Sequence, residues 1–325
     1  MKEIRGRTAL VTGGAGFIGC HLVDHLLKNQ WHVKVIDNLS TGKLTNLEQY
    51  TKNPSLEIII GDLKKPHDCR MVVQDVEVVF HFAANPEVKL STTYPKIHFE
   101  QNIMATFNLL EAIRRKSNVK YLIFASSSSV YGEPERIPTK ETDPLKPLSV
   151  YGASKVACEA LLQSYSNLYG IKSVALRYAN VVGHKLNHGV IYDFIQKLRR
   201  NSKELEILGN GTQIRSYLFV HDAVKAALIA YMHAYTMMSN YFEVYNVGNE
   251  DWLTIKEVAD IVIETMGLRD VKYVFRPMLY GVGWPGDIKK IIMDISKIKS
   301  LGYKPSFTSR EAVKLTVKSL CKAVN

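Results

Sequence analysis

Tyr151-Gly-Ala-Ser-Lys155 carries the most informative spacing in the chain. A Tyr and a Lys four residues apart on a helix lie on one face, one turn from each other. An ammonium beside a phenol stabilises the phenolate, and a second cation near the ring adds to that effect, so the phenol's pKa falls toward neutrality. About 1.4 kcal/mol of differential stabilisation moves a pKa by one unit, so two cations in a partly dry site supply several. A phenolate poised near pH 7 is a general base. Its natural partner is a hydroxyl that donates to the substrate oxygen the phenolate deprotonates, and Ser126-Ser-Ser-Ser129 follows the apolar run Lys120 to Ala125. Ser127 is the favoured candidate, with Ser126, Ser128 and Ser129 as alternatives of the same chemistry. By itself the Tyr/Lys spacing also fits a helix-start Tyr beside a solvated Lys. The elements around it decide.

The strongest of those elements is Thr8-Ala-Leu-Val-Thr-Gly-Gly-Ala-Gly-Phe-Ile-Gly19. Thr8 to Val11 reads as a short buried strand. Leu22, Val23, Leu26 and Leu27 fall at helical spacing in Cys20 to Leu27. Gly13, Gly16 and Gly19 therefore occupy a strand-to-helix turn. Gly13 suits a tight turn with positive φ. Gly16 leaves room for an anion beside the backbone, and Gly19 lets the helix pack close to its strand. The helix N-terminus offers N–H groups and a positive dipole end to a pyrophosphate. A second strand, His32 to Ile36, ends at Asp37, whose carboxylate suits ribose hydroxyls and repels a 2′-phosphate. The expected ligand is NAD rather than NADP, and its cationic nicotinamide is the second cation the tyrosine needs.

Strand-like and helix-like runs alternate to about residue 180: Leu56 to Ile60, Val76 to Phe82, Lys120 to Ala125 and Ser173 to Tyr178 as strands, Ile103 to Ile113 and Val156 to Leu168 as helices. Such alternation gives a parallel sheet covered on both faces, with ligands outside the carboxyl ends of the strands. Every polar tip lies at such an end: Gly13 to Gly19, Asp37, Asp62-Leu63, Ala83 to Asn85, Ser126 to Ser129 and Tyr178 to Asn180. The expected fold is α/β, a Rossmann-type doubly wound parallel sheet over 1–180 with returning segments near 213–235 and 243–252. A smaller α/β substrate domain takes the remainder of 181–325. Ser216 to Val220 and Tyr245 to Gly248 read as sheet-domain material, and Thr254 to Met266 as an amphipathic helix.

The 325 residues, 46% hydrophobic and 22% charged, suffice for one large or two coupled domains. Met1 to Arg5 is charged and no apolar run approaches a membrane span, so neither a signal peptide nor a membrane segment is expected. Cys20, Cys69, Cys158 and Cys321 are scattered, which argues for reduced thiols in a cytoplasmic enzyme. The net charge of +11 is dispersed, apart from clusters such as Lys197 to Arg200. That pattern suits a dianionic small molecule better than nucleic acid. His184-Lys-Leu-Asn-His-Gly189 holds two histidines, but Asn187 and Gly189 mark a loop without a third ligand, so no metal is expected. The loop is expected to meet substrate through Gly189-Val-Ile191.

Thr12 to Gly19, His81-Phe-Ala-Ala84, Ser126-Ser-Ser-Ser-Val-Tyr-Gly132, Tyr151-x-x-x-Lys155, Arg177-Tyr-Ala-Asn180 and Gly209-Asn-Gly-Thr-Gln-Ile-Arg215 resemble the extended short-chain dehydrogenase/reductase family, and within it the NAD-dependent nucleotide-sugar epimerases. The match covers nearly the whole chain. It implies Ser127, Tyr151 and Lys155 as the catalytic set. It implies Gly13, Gly16, Phe17, Ile18, Gly19, Asp37, Asn38, Asp62, Leu63, Ala83, Ala84, Asn102, Tyr151, Lys155 and Tyr178 around the cofactor. Ser127, Asn180, Val190, Arg215 and Asp287 would hold a nucleotide-diphosphate sugar. A homodimer paired through the helices around Asn102 to Arg114 and Tyr151 to Leu168 is implied as well.

The family's 4,6-dehydratases carry an Asp-Glu pair after the catalytic hydroxyl, and its decarboxylases a Glu before Val-Tyr-Gly. Here Ser128 and Ser129 stand in those places, and neither hydroxyl serves as acid or base near neutral pH. Cys158, three residues past Lys155, reads as packing. What remains suffices for transient oxidation at C4, so the resemblance implies C4 epimerisation, with UDP-glucose and UDP-galactose foremost. Two places depart from the family. Trp284 precedes Pro-Gly-Asp287 where an Arg is usual, and Ile291 stands where glucose-restricted members carry a Tyr.

Overall fold

Ala9 to Thr12 are fully buried, as the apolar run demands of a central strand. The structure is a computed structural model and describes residues 6–116, 118–237 and 242–322. Met1 to Arg5, read above for charge, lie outside the described residues. Seven strands form one sheet in the order Phe242–Val247, Lys172–Tyr178, Tyr121–Ser127, Val78–His81, Thr8–Thr12, His32–Asp37, Leu56–Ile60. The pairs around the centre are parallel, with Thr12 opposite both Ile36 and His81. The chain runs outward from Thr8–Thr12 to Leu56–Ile60, then returns to the other side at Val78. That reversal puts a crevice beyond the tips of Thr12 and His81, where open parallel sheets bind ligands.

Helices Phe17–Lys28 and Val150–Tyr169 extend the expected runs at both ends, whereas Ala105–Lys116 starts two residues after the expected Ile103 and runs past Ile113. Leu109, Leu110, Ile113 and Leu162 share one core with Leu10, Val79, Leu122 and Phe124. Each such side chain contributes roughly 1.5–3 kcal/mol by leaving water. Trp31, Phe80 and Tyr121 meet Tyr231 of the helix Val220–Thr236 edge-on, at 5.5–6.0 Å between ring centroids. Before Ala105 the chain makes a π-helical turn, Phe99–Met104, which no apolar period announces.

The chain forms two compact units. The first takes the chain through Ser126, Ala153–Arg177 and Val224–Tyr245; the second takes Ser127–Gly152, Tyr178–Ala223 and the chain from Asn246. Residues 127–152, read with the sheet domain, thus group with the second unit. The reason is local: Tyr131 Oη donates to Asn246 Oδ1 at 2.7 Å, and Thr139 bridges Met293. Of the stretch 213–235, Tyr217–Phe219 does not join the large sheet but pairs in parallel with Asn180–Val182. The second unit also contains the pairs Ile214–Arg215 with Leu253–Thr254 and Glu204–Leu208 with Lys272–Arg276. Its helices Val190–Arg200, Ile255–Thr265 and Ser309–Lys322 pack on one another. A reciprocal capping box of Thr254 and Glu257 starts the second of these. Among the described residues no helix is long and apolar enough to cross a membrane.

Candidate active site

The glycine turn has little freedom. Gly13 has φ +67°, and a Cβ there would lie 2.8 Å from the backbone of Ala83. A Cβ on Gly19 would lie 2.2 Å from the Gly13 carbonyl oxygen. Gly16 caps the helix Phe17–Lys28 without a side-chain bond, and the first turn, which begins Phe17-Ile18-Gly19, holds no acid. Its N–H groups are thereby left for an anion. Asp37 Oδ2 accepts from Ala15 N–H at 3.0 Å and Oδ1 from Leu39 N–H at 2.9 Å. Burial pushes its carboxyl up, and these donors pull it back. About four acceptor positions on a carboxylate leave room for ribose hydroxyls as well. A side-chain-free cradle, an uncapped helix start and a half-buried carboxylate fit NAD.

The other expected cofactor residues are placed as follows. Asn38 Oδ1 accepts from Ser40 N–H, and Asp62 Oδ1 from Lys64 N–H. Leu63 is buried, and its carbonyl accepts from Asn108. Ala83 N–H donates to Thr12 Oγ1 at 3.1 Å, and Ala84 is half-buried beside it. Asn102, on the π turn, accepts from Asn85 N–H and donates to Ser154 Oγ, both at 2.8 Å. Tyr178 is buried and its hydroxyl donates to Ala223 O, so only its ring or backbone is left for a cofactor.

The serine alternatives separate at the tip of Tyr121–Ser127. Ser126 is buried and donates to Glu159 Oε1. Ser127 Oγ accepts from Ser129 N–H at 3.2 Å and from Ser129 Oγ at 2.9 Å, which leaves its own proton to donate. Tyr151 and Lys155 occupy the first turns of Val150–Tyr169. Lys155 Nζ, 3% exposed, donates to Ala125 O at 2.8 Å and lies 4.7 Å from the Phe124 ring centroid. Burial pulls its ammonium down to about 8, against the pull of Cys158 and Glu159 on its own helix. One turn on, Glu159 takes Arg177 Nε at 3.1 Å on Oε1 and Nη2 at 2.7 Å on Oε2. The sequence reading missed Glu159, although Lys155-x-x-x-Glu159 repeats the Tyr/Lys spacing. Cys158 is buried and donates to Thr106 Oγ1, as packing would have it.

In the second unit, Asn180 is exposed and its amide donates to Ser216 O. Val190 opens the helix Val190–Arg200 behind Gly189. Arg215 and Asp287, both expected to face substrate, pair with each other: Nη2 donates to Asp287 Oδ1 at 2.8 Å, and Nη1 donates to Ile214 O. Asp287 Oδ2 also accepts from Gly283 N–H at 3.0 Å. Ile291 is 5% exposed. His184 Nδ1 lies 2.7 Å from Ser319 Oγ on the C-terminal helix. Among the described residues no three His, Cys, Asp or Glu side chains gather as a metal site.

The family model described as the NAD dependent epimerase/dehydratase family matches residues 9–248. A crystal structure of a UDP-galactose 4-epimerase is 46% identical at TM-score 0.87, covering 98% of this chain and 100% of that one. A UDP-N-acetylglucosamine 4-epimerase from Methanobrevibacter ruminantium, in complex with UDP-N-acetylmuramic acid, is 34% identical at TM-score 0.86, with the same coverage of 98% and 100%. A UDP-glucuronic acid 4-epimerase from Bacillus cereus, in complex with UDP-glucuronic acid and NAD, is 30% identical at TM-score 0.88, covering 97% and 99%. The family model spans more than half of the chain, and the chain belongs to the NAD-dependent epimerase/dehydratase family.

Proposed function

We propose that this isomerase inverts C4 of a nucleotide-diphosphate sugar, with UDP-glucose and UDP-galactose as its foremost substrates. The observation that carries the reading is the serine tip. Ser127 is held as an acceptor by Ser129 with its proton left to donate, and Ser128 and Ser129 stand where elimination would need carboxylates. NAD, when bound, supplies reversible two-electron oxidation of the alcohol carbon. Gly13 to Gly19 and Asp37 hold it, with Asn38, Asp62, Leu63, Ala83 and Ala84 along its length. Tyr151 takes the proton from the 4-hydroxyl and later gives it back. Ser127 donates to the same oxygen. Lys155 stabilises the phenolate from one helical turn away. Asn180 and Arg215 hold the diphosphate, with Asp287 fixing the Arg215 guanidinium and Val190 against the rest of the nucleotide sugar, and they leave the sugar free to present either face.

The test is Tyr151→Phe in a UDP-galactose/UDP-glucose interconversion assay. Loss of a general base lowers the rate by about 10²–10⁴. A variant within about tenfold of wild type overturns the assignment. Ile291, a smaller side chain than a tyrosine, supports tolerance of N-acetyl sugars. A preference for UDP-glucose over UDP-GlcNAc above about a thousandfold in kcat/KM, some 4 kcal/mol, counts against it. We also expect a homodimer through Ala105–Lys116 and Val150–Tyr169, where Phe107 and Leu168 are 44% and 71% exposed. Light scattering of the purified protein reads this directly.

A further inference from the structure

His81 is wholly buried and plays no part in the proton transfers above, yet its bonds have one consistent direction. Thr12 Oγ1 accepts the N–H of Ala83 at 3.1 Å and, shared with the Thr12 carbonyl, that of Phe82 at 3.2 Å, which occupy its two lone pairs. Its single proton must then go to His81 Nδ1, 2.7 Å away. With Nδ1 an acceptor, the ring is neutral and its proton is on Nε2. That proton goes to Thr106 Oγ1 at 2.9 Å. Thr106 passes its own proton to the Asn102 carbonyl at 2.6 Å. A doubly protonated ring would aim an N–H at an oxygen with no lone pair to spare. Lys155 adds its positive field to burial, and both oppose a second proton; Cys158, on the same helix, donates to Thr106 and reinforces the direction.

We propose that His81, as the neutral Nε2–H tautomer, is a positioning residue that sets the register between the glycine turn and the helix that carries Lys155. One end of the relay is Thr12, immediately before Gly13, with Ala83, whose backbone a Gly13 Cβ would strike. The other end is Asn102, whose amide donates to Ser154 Oγ beside Lys155. A slack relay lets the turn and the helix drift apart without unfolding the sheet.

Two measurements test this. In protein labelled with ¹⁵N-histidine, the resonance lost in His81→Gln identifies His81. We expect an unprotonated Nδ1 and a protonated Nε2 throughout the stable pH range. An Nδ1–H tautomer, or titration near neutral pH, overturns the proposal. Thr106→Val breaks the relay at its middle and Thr106→Ser keeps the hydroxyl. Calorimetric titration of NAD into protein first stripped of bound dinucleotide should give a dissociation constant about tenfold higher for the valine variant, equivalent to ~1.4 kcal/mol, and a near-wild-type constant for the serine variant. Unchanged NAD affinity in Thr106→Val overturns the positioning role. If that variant does not fold, the tautomer measurement on the wild-type protein still decides. Neither readout depends on which sugar is turned over.

Discussion

Removing the buried charge of Glu159 from the helix Val150–Tyr169 should cost far more than breaking a surface ion pair does. Arg177 and Glu159 are joined by two N–H donors at 3.1 and 2.7 Å, with their side chains 4% and 5% exposed. Glu159→Gln keeps the shape and leaves the guanidinium buried against a neutral amide. Breaking such a pair from one side costs about 3–5 kcal/mol, because the surviving charge stays out of water. For a protein of this size that lowers the melting transition by roughly 4–7 °C. Replacing both partners with apolar residues, Glu159→Leu with Arg177→Met, removes the orphaned charge and should recover most of the loss. The assay is denaturant unfolding of wild type, Glu159→Gln, the single variants Glu159→Leu and Arg177→Met, and their double, with NAD at one fixed concentration. A loss below about 1 kcal/mol for Glu159→Gln, or single losses that simply add in the double, would refute the reasoning.

Three further outcomes are expected. Lys155 has its pKa lowered to about 8 from 10.5, so between those values the unfolded chain binds more protons than the folded one. Wild-type stability relative to Lys155→Met should therefore rise as pH climbs through 8 to 10.5, and a flat difference across that range would be contrary evidence. Gly13→Ala places a Cβ 2.8 Å from the Ala83 backbone at φ +67° and should abolish NAD retention on purification; a variant that still carries NAD would contradict the cradle. Ser127→Ala should lower kcat with little change in melting, whereas Ser126→Ala, which strips a buried hydrogen bond from Glu159, should lower melting more than kcat. The reverse ranking would reassign the catalytic hydroxyl.

Apolar periodicity located the sheet and its tips because central strands are buried on both faces and helices on one, which marks the sequence locally. The glycine turn was legible because three glycines three positions apart, between an apolar strand and an apolar helix face, mark a strand-to-helix turn within one short stretch. What escaped depends on long-range pairing. Thr12 meets His81 across 69 positions, and Arg215 meets Asp287 across 72; neither leaves a local period. The π turn at Asn102 and the two-residue strand Ile214–Arg215 are too short for one. Arg215 is the instructive case. Expected among the residues that hold a nucleotide-diphosphate sugar, it meets Asp287 Oδ1 through Nη2 in the fold.

The glycine cradle hangs from the strand Thr8–Thr12, which has neighbours on both sides in the middle of the sheet. A ligand that binds only the folded chain adds stability by mass action, about 2.7 kcal/mol at a hundredfold excess over its dissociation constant. Dinucleotide seated on the central strand would thus suppress the rare openings on which cellular proteases act. The lifetime of this protein in a cell should then follow the supply of NAD, shortening when the dinucleotide is depleted even if no sugar is being turned over.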